Sequence, residues 1–329
     1  MKIGLIIGAY NDRGGLERVA VETARGLRDL GHRVVVITQR IEAGDPDRGI
    51  EFVRVGGFKK NLALRSATFP VKATRAAADL DLDVLYSFGS SVLAPAVVRA
   101  PGAHRSWWTL ANREWPAGSL EGARRRLNPH HRITLGLDSM VLGHAMPHAV
   151  LAAGEWAAEE IRTFYPRVAD RVHVLPDGVN LEEFRFSPVG REAKQETWST
   201  GDGPVLLCVA TELRRKGLGS LCASFRLIRE ELPSAVLVIG GRAPASDVRA
   251  LVAQHHISDA VRVVGEIDDM AAAYSAADAL VFPTRFDPWG LPVVEALACG
   301  TPVAVSARAG AAQAVTPGMS GALIADPTD

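Results

Sequence analysis

The sequence predicts an α/β protein of two domains, each with helices on both faces of a parallel sheet. Short apolar runs alternate with helical patterns along nearly the whole chain, which is typical of βαβ units. The 329 residues exceed what one hydrophobic core usually serves. A polar stretch with several glycines over residues 181–203 predicts a linker. We therefore expect domains over residues 1–188 and 189–329.

The charge balance argues against one class of function, and the cysteines indicate a cellular compartment. Basic and acidic residues both number 37, so the formal net charge is zero, which disfavours nucleic-acid binding through phosphates. Cys208, Cys222 and Cys299 stand apart in apolar runs without CxxC spacing, so we expect buried thiols in a reducing compartment. The sequence shows no secretory signal and no apolar run of about 18 residues, so we expect a cytoplasmic protein.

The first domain begins as a Rossmann-like unit. An apolar strand over residues 2–8 precedes a loop containing Gly14 and Gly15, an amphipathic helix over 16–30 and a second strand over 32–38. The two glycines come too late and too close together for GxGxxG, which argues against a dinucleotide site. Glycines before a helix favour close approach of an anion to the backbone, although a plain turn is equally compatible.

The rest of the first domain contains one stretch that could suggest a metal site and several further predicted helices and strands. Residues 79–83, DLDLD, suggest an Asp-x-Asp metal motif, but the acids precede the strand over 84–88 instead of following one. We therefore expect a solvated helix end and no metal site. The remaining patterns predict a helix over 92–98, a helix over 128–145, a strand over 149–152, a helix over 155–165 and a strand over 171–175.

Residues 99–115, RAPGAHRSWWTLANREW, have the most unusual composition of the chain, and we expect a loop there. Basic residues at 124–126 and histidines at 130 and 131 follow nearby. Tryptophan and arginine together suit sugar stacking, phosphate binding or contact with a membrane surface. The alternative is a structural loop in which the tryptophans pack underneath and the arginines are solvated.

The second domain repeats the alternation of strands and helices. Strands are expected over residues 204–210, 235–240, 261–264, 279–282 and 303–305, and helices over 218–231, 247–255, 268–277 and 291–298. The loop TELRRKG places Arg215 and Lys216 just before a helix at the end of a strand. Two cations there predict a phosphate clamp, although a charged surface turn has the same composition.

Residues 280–307, LVFPTRFDPWGLPVVEALACGTPVAVSA, combine a strand, a glycine turn, a helix and a strand. The backbone amides of Trp289, Gly290 and Leu291 open the helix, where unpaired N–H groups suit phosphate or sugar oxygens. Glu295, one turn into the helix, could accept two ribose hydroxyls. Asp287 on the loop could accept hydroxyls of a second sugar.

The acid, seven residues, then Glu pattern, filled as DPWGLPVVEALACGTPV, resembles the signature of the retaining GT-B glycosyltransferases, usually EPFGLVVLEAMACGTPVV. GGLERVAVETARGLRDLGHRVVVIT resembles the opening of that family, and PDGVN at residues 176–180 resembles its PNGVD. RKG at 215–217 resembles the branch containing lipopolysaccharide core glucosyltransferase I. The resemblance covers essentially the whole chain and implies a GT-B fold, two Rossmann-like domains facing a cleft.

The resemblance also implies residue roles. Donor-binding positions would be Gly15, Arg215, Lys216, Ile267, Gly290, Leu291 and Glu295. Asp287, one methylene shorter than the usual Glu, would orient the donor sugar. His104, in a GAHR segment that resembles the GxHR of some members, would touch the acceptor or the donor sugar. Members of the family usually need no metal, and they continue beyond the equivalent of Asp329 with helices that return to the first domain.

The expected reaction is transfer of a hexose, with retention, from a nucleotide sugar to a glycan or glycolipid. We expect a UDP-linked donor, and lipopolysaccharide core is a candidate acceptor. We expect no cofactor, no nucleic-acid partner, and a cytoplasmic protein that could lie on the inner face of the membrane. Two alternatives stay open at this stage. One is a UDP-N-acetylhexosamine epimerase of the same architecture, and the other is a sugar-nucleotide-binding protein without catalytic activity.

Overall fold

The computed structural model describes residues 1–12, 14–42, 47–58, 61–114, 120–144 and 146–328. The chain divides into two compact units, Met1–Pro176 and Asp177–Asp329, which we call unit 1 and unit 2. The division falls earlier than the boundary expected after residue 188. Each unit is a parallel α/β sheet, as predicted from the alternating pattern.

Unit 1 is built on a seven-stranded parallel sheet with the order β5-β3-β1-β6-β7-β8-β9, counted over its described residues. The strands of unit 1 are β1 (Lys2–Ile6), β2 (Ala9–Tyr10), β3 (Arg33–Thr38), β4 (Arg40–Ile41), β5 (Glu51–Arg54), β6 (Val84–Phe88), β7 (Val97–Arg99), β8 (Ala149–Ala152) and β9 (Val172–Val174). Its helices are α1 (Gly15–Asp29), α2 (Leu62–Ala78), α3 (His104–Glu114), α4 (Leu120–Leu127), α5 (Pro129–Val141) and α6 (Glu155–Phe164), followed by the 3₁₀ turn Pro166–Arg171.

The central strands of unit 1 are apolar on both faces because a layer of helices covers each face. Val34 and Val36 pack in one cluster with Ala24 of α1. Ile37, on the opposite face of the same strand, packs in another cluster with Phe69 of α2. Burial on both sides explains why these strands read as continuous hydrophobic runs in the sequence.

Unit 2 is built on a six-stranded parallel sheet with the order β12-β11-β10-β13-β14-β15 over its described residues. Its strands are β10 (Val205–Val209), β11 (Val236–Gly240), β12 (Val261–Gly265), β13 (Ala279–Phe282), β14 (Val303–Ser306) and β15 (Gly321–Ile324). Its helices are α7 (Pro188–Trp198), α8 (Leu218–Glu231), α9 (Ala245–Gln254), α10 (Met270–Ala276) and α11 (Leu291–Ala298), with a 3₁₀ turn at Gly310–Ala314. Cys208, Cys222 and Cys299 are buried thiols, as expected.

In both sheets the chain adds strands first on one side of a central strand and then on the other. In unit 1, β1 lies between β3 and β6, and in unit 2, β10 lies between β11 and β13. At such a switch point the following loops leave toward opposite faces of the sheet, which opens a crevice at the carboxyl ends of the strands. Each unit therefore has one preferred place for a small ligand.

Two sequence-based predictions in unit 1 were wrong. The expected helix over residues 92–98 does not form, because Pro95 cannot donate a helical hydrogen bond and residues 97–99 pair with β6 and β8 instead. The expected loop over 99–115 is largely helix α3, up to Glu114, while Trp115 lies outside the described residues. The carboxylate of Asp138 accepts the backbone N–H of His104 at 3.1 Å and so caps the start of this helix.

The stretch predicted as a linker, residues 181–203, contains helix α7 and belongs to unit 2. Ser187 caps the helix through a 3.0 Å hydrogen bond from the amide of Gly190, and Pro188 occupies its first turn. Arg191 donates to the carbonyl of Ser275 at 2.9 Å and pairs with Asp278 at 2.7 Å. The polar residues that suggested a linker thus bind the end of α10.

Candidate active site

The loops that follow β10 and β13 meet at the switch point of unit 2 and bring three predicted site residues together. Lys216 Nζ lies 2.5 Å from Asp287 Oδ2, and Arg215 Nη1 lies 3.4 Å from the same oxygen. Lys216 and Asp287 are largely buried, with 9% and 14% of their side chains exposed. We call this group of three residues the cation cradle. The sheet order explains it, because β10 and β13 are hydrogen-bonded neighbours.

Backbone contacts between the two loops hold the cradle in place. The carbonyl of Arg215 accepts the amide of Arg285 at 2.8 Å and the hydroxyl of Thr284 at 2.9 Å. The ammonium group of Lys216 lies over the ring of Phe282, 4.4 Å from its centroid. The ammonium group of Lys216 is therefore held by both the carboxylate of Asp287 and the aromatic face of Phe282.

Asp287 stays ionised in this setting. Burial acts to raise the pKa of the carboxyl group. The charges of Lys216 and Arg215, together with hydrogen bonds from Lys216 and the Trp289 amide, outweigh burial and lower the pKa below its usual value. The carboxylate therefore carries its charge at neutral pH and neutralises part of the positive charge of the cradle.

The glycine turn before α11 has the geometry that the sequence predicted for an anion site, with one difference. Gly290 takes φ +103°, a left-handed conformation, and is the residue that caps the helix. The amide of Trp289 points to Asp287 Oδ1 at 3.3 Å. Within the described part of the chain, the amides of Gly290 and Leu291 have no hydrogen-bond acceptor. Two of the three expected amides thus remain for a ligand.

Glu295 lies on α11, one turn beyond this opening, and is buried. Its Oε2 accepts the hydroxyl of Tyr274 at 2.7 Å. Tyr274 is anchored in turn, because its carbonyl accepts the hydroxyl of Thr301 at 2.7 Å. The carboxylate is thus bonded by a tyrosine of α10, which is itself bonded to the loop after α11.

Ile267 and Gly15 occupy different parts of the structure. Ile267 follows β12, and its side chain packs on Gly240, where an added Cβ would lie 2.4 Å from Ile267 Cδ1. It therefore sits near the carboxyl end of β11. Gly15 is the first residue of α1 in unit 1 and is exposed.

His104 belongs to a histidine cluster in unit 1, which we define as His104, His130 and His131. Its Nε2 lies 3.1 Å from His131 Nδ1, and the two rings stack with centroids 5.2 Å apart. Burial, followed by the charges of His131 and His130, lowers the pKa of His104 to about 4. His104 is therefore neutral at physiological pH and can exchange hydrogen bonds but carries no charge.

Each half of the chain matches a known protein family. Residues 13–183 match the family described as Glycosyltransferase Family 4, and residues 190–329 match Glycosyl transferases group 1. The chain belongs to the GT-B group 1 glycosyltransferases. The family resemblance of the DPWGLPVVE segment is thereby confirmed, whereas retention at the anomeric carbon stays a prediction.

Among curated relatives of this glycosyltransferase, a probable transglycosylase of Burkholderia thailandensis is 28% identical and is covered over 80% of its length by 96% of this chain. A D-inositol 3-phosphate glycosyltransferase of Frankia alni is 30% identical and is covered over 83% of its length by 95% of this chain. These similarities and the family match establish a transferase.

Solved structures agree on the fold. WaaG, a glycosyltransferase involved in lipopolysaccharide biosynthesis, aligns with a TM-score of 0.83 at 20% identity, over 99% of this chain and 87% of WaaG. Anabaena HepE in complex with UDP and glucose aligns with a TM-score of 0.73 at 17% identity, over 100% of this chain and 87% of HepE. The predicted GT-B fold with two Rossmann-like domains is confirmed.

Sequence reasoning missed several residues of the glycosyltransferase that the fold brings to these sites. Tyr274, the partner of Glu295, lies in a run of alanines without any motif. Asp138, which accepts Ser90 Oγ at 2.7 Å, lies 34 residues from His104 and has no local signature. His131 lies in a basic stretch that carries no sign of its contact with His104. Their pairing depends on helix packing, which no short spacing reveals.

The described residues contain neither a cluster of metal ligands nor a membrane-spanning helix. No group of three or more histidine, cysteine or acidic side chains there is arranged to hold a metal ion. No helix in the same residues has the length and apolar character needed to cross a membrane.

The histidine cluster leads to a prediction on pH and stability. Because the pKa of His104 in the fold, about 4, lies below its usual value near 6.5, the unfolded chain binds more protons between these pH values, and the wild type gains stability as pH rises through this window. His104→Gln should lack this gain, which is on the order of 1 to 3 kcal/mol. Urea unfolding at pH 4.5, 5.5 and 6.5 measures the difference between the two proteins.

Asp138 supplies the internal control for that experiment. Burial raises the pKa of Asp138 to about 6, so its contribution falls as pH rises from about 4 to 6, opposite to that of His104. Asp138→Asn should therefore differ from the wild type with the reverse slope. Parallel curves for wild type and His104→Gln would show that His104 is not buried in its neutral form.

Proposed function

We propose that this glycosyltransferase moves a hexose from a UDP-linked sugar to a glycan or glycolipid acceptor, with retention at the anomeric carbon. The observation that carries the proposal is the cation cradle beside two open amides at the switch point of unit 2. A nucleoside diphosphate fits this site, since its phosphates need cations and N–H donors within a few ångströms of each other. HepE, similar in fold, is known in complex with UDP and glucose.

Stabilisation of the leaving group is the main catalytic contribution in this proposal. When the bond between the sugar and the β-phosphate breaks, the nucleoside diphosphate gains negative charge. Lys216, Arg215 and the amides of Gly290 and Leu291 would face that charge without having to reorganise. Each charge-assisted hydrogen bond contributes about 1.5 to 3 kcal/mol, so the cradle can supply much of the binding and leaving-group stabilisation.

Carboxylates would orient the rest of the donor. Glu295, held by Tyr274, would accept the ribose hydroxyls, and a backbone group at Ile267 would read the base. Asp287 would accept donor-sugar hydroxyls while its other role is to hold Lys216 and Arg215 in place. Its short side chain suits that double role, since Oδ2 contacts both cations. Gly15, the first residue of α1 in unit 1, stays a donor-binding position that the family resemblance implies.

Retention is proposed without a covalent intermediate on the protein. The acceptor would attack from the face that the leaving group departs, and the leaving phosphate would take the acceptor proton. His104, neutral at physiological pH, would hydrogen-bond to the acceptor or donor sugar and would not need to act as an acid. Neither step requires a metal ion.

A ligand screen tests the donor assignment. Thermal shifts with UDP, GDP and ADP, and then with their sugars, should show the largest stabilisation with a uridine nucleotide. Equal shifts for all three bases would remove the UDP preference while leaving the diphosphate site. No shift with any of them would overturn the proposal.

Turnover assays separate the proposed transferase from the other two function classes. A transferase releases UDP only when an acceptor is added. A UDP-N-acetylhexosamine epimerase would interconvert its substrate without any acceptor, and a sugar-nucleotide-binding protein would show affinity without turnover. Analysis of the anomeric configuration of the product decides whether the reaction proceeds with retention.

The proposed place of action is the inner membrane surface, with the protein cytoplasmic. Helix α4 supports this, because Arg124 and Arg126 are exposed and Leu127 is 80% exposed. Arg125 instead stacks on Trp108 at 5.6 Å and donates to Asn112, so it belongs to the packing of the unit.

A charge and surface variant tests this placement. Arg124→Gln, Arg126→Gln and Leu127→Ser combined should reduce binding to vesicles containing anionic lipid by at least tenfold, because about 1 kcal/mol per basic residue is lost. Arg226→Gln combined with Arg249→Gln, on helices of unit 2, is the control. Unchanged co-sedimentation of the α4 variant would remove the support for a membrane-bound acceptor.

A further inference from the structure

Strand β12 forms an open edge of the six-stranded sheet of unit 2. It pairs with β11 on one side, and among the described residues no strand lies on its other side. The amide of Leu237 donates to the carbonyl of Ala260 at 2.9 Å, so the polar backbone groups of Ala260 and Arg262 point toward β11. Because these groups alternate in direction along a strand, those of Val261 and Val263 point away from the sheet.

This open edge lies at the bottom of a groove of about 570 Å³. Residues 261–264 of β12 all line the groove. Successive side chains of a strand point to opposite faces of the sheet, so one groove can touch all four residues only along the edge itself. The volume lies within the range of about 300 to 1,000 Å³ that is typical of binding sites.

Two helices form the walls of the groove. On one face of the sheet, Val261 packs in the same core cluster as Val252 of α9. On the other face, Arg262 Nε donates to the carbonyl of Trp198, the last residue of α7, at 3.1 Å. Val252 and Trp198 both line the groove. The open edge is therefore recessed between α7 and α9.

The recess decides what kind of partner can pair with this edge. Two copies of an open edge can join into one continuous sheet. Here the walls formed by α7 and α9 would meet the same walls of a second copy before the two strands came within the about 4.8 Å that a hydrogen-bonded pair needs. A single extended peptide segment is narrow enough to enter, and its side chains would alternate between the two walls.

The lining of the groove favours an acidic segment with β-branched side chains. Arg249 and Arg262 line the groove, and none of the described residues that line it is acidic. Arg262 donates to three backbone carbonyls at 2.9 to 3.1 Å, which leave its charge in place. Charge complementarity therefore calls for a carboxylate on the partner. Four valines also line the groove and suit β-branched side chains, namely Val252, Val261, Val263 and Val264.

We propose that the groove at β12 binds an extended acidic segment of another protein by strand addition. The outward backbone groups of Val261 and Val263 pair with the main chain of the segment, and Arg249 contacts one of its carboxylates. Strand β11 separates β12 from β10, whose loop carries the two cations of the cradle. The interaction therefore goes beyond the proposed transfer reaction and does not depend on it.

A fluorescent peptide tests this proposal on the whole chain. The probe has seven residues, with valine and threonine alternating between a glutamate at each end. Two matched peptides carry lysines in place of the glutamates, or N-methyl groups on the internal amides. We expect saturable binding of the acidic peptide in fluorescence anisotropy, at least tenfold tighter than that of either matched peptide. Strand pairing should also slow hydrogen exchange of the amides of Val261 and Val263 at least tenfold.

Two variants separate backbone pairing from charge. Val263→Pro removes an outward N–H that pairing with β11 does not use, so the sheet should persist while the acidic peptide binds at least tenfold more weakly. Arg249→Glu should abolish the preference for the acidic peptide over the lysine peptide. Because Arg249 is exposed, this second variant keeps the test decisive even if Val263→Pro does not fold. Arg226→Glu, at an exposed position of α8 outside the groove, is the matched control and should leave binding unchanged.

Several outcomes would overturn the proposal. One is the absence of saturable binding of the acidic peptide. Another is equal binding of the N-methylated peptide, which would leave only an attraction between carboxylates and arginines. Unchanged peptide preference in Arg249→Glu would exclude the groove as the binding site. Sedimentation velocity without peptide covers a second copy as the occupant, since a wild-type dimer that Val263→Pro dissociates would show that two copies pair through this edge.

Discussion

Lys216→Met is expected to weaken UDP binding by about ten- to a hundredfold and to lower transfer activity at least as much. The methionine keeps the length of the side chain over Phe282 but removes the charge-assisted bond, worth about 1.5 to 3 kcal/mol. It also takes the nearer cation away from the largely buried Asp287, which keeps Arg215 at 3.4 Å and the Trp289 amide at 3.3 Å, and this destabilises unit 2 by about 3 kcal/mol. Calorimetry with UDP and urea unfolding measure the two effects separately.

A double variant separates stability from function. Lys216→Met combined with Asp287→Asn should recover much of the lost stability, because neither partner is then left as an unpaired buried charge. UDP binding should stay weak, since the cation is still absent. Arg229→Gln, which removes an exposed ion pair with Asp259 in the same unit, is the control and should leave UDP binding unchanged. Wild-type affinity for UDP in Lys216→Met would show that the cradle does not hold the diphosphate.

Gly217→Ala is expected to destabilise unit 2 by more than about 3 kcal/mol. The residue has φ +70°, where a side chain costs about 1 kcal/mol or more, and a Cβ would lie 2.0 Å from the carbonyl oxygen of Pro283. That carbonyl is backbone and cannot rotate away, so the loop carrying Lys216 must shift from the one carrying Asp287. The melting temperature of unit 2 and its affinity for UDP should therefore fall together.

The same helix offers a matched control. Gly219 lies near the start of α8, and a Cβ there would meet no atom within 4 Å. Gly219→Ala should therefore be neutral or stabilise the protein by up to about 1 kcal/mol through helix propensity. Equal destabilisation by both substitutions would show that the helix start, and not contact with Pro283, is the sensitive feature.

In unit 2 the sequence predicts the elements from β10 to β14 in the right order and nearly residue by residue, but neither helix α7 nor strand β15. Strand β13 and helices α8 and α11 have the predicted bounds, because buried parallel strands form unbroken apolar runs and each helix ends at a clear signal. The sequence predicts unit 1 less well, because its composition indicates a loop where the structure has helix α3. Its tryptophans and arginines are typical of a binding surface and favour a loop. The absence of glycine and proline between His104 and Glu114 favours a helix, and it is the better guide here.

What the sequence by itself determined is the family, the two parallel α/β units and the positions of Arg215, Lys216 and Asp287 on loops that follow strands, because short, specific patterns mark these loops. Only the tertiary structure decided that Lys216 and Asp287, 71 positions apart, form an ion pair, and that Trp198, Arg249 and Val263 line one groove. The physical reason is strand order: neighbours in a sheet are set by long-range hydrogen bonding and packing, which leave no local trace in the chain.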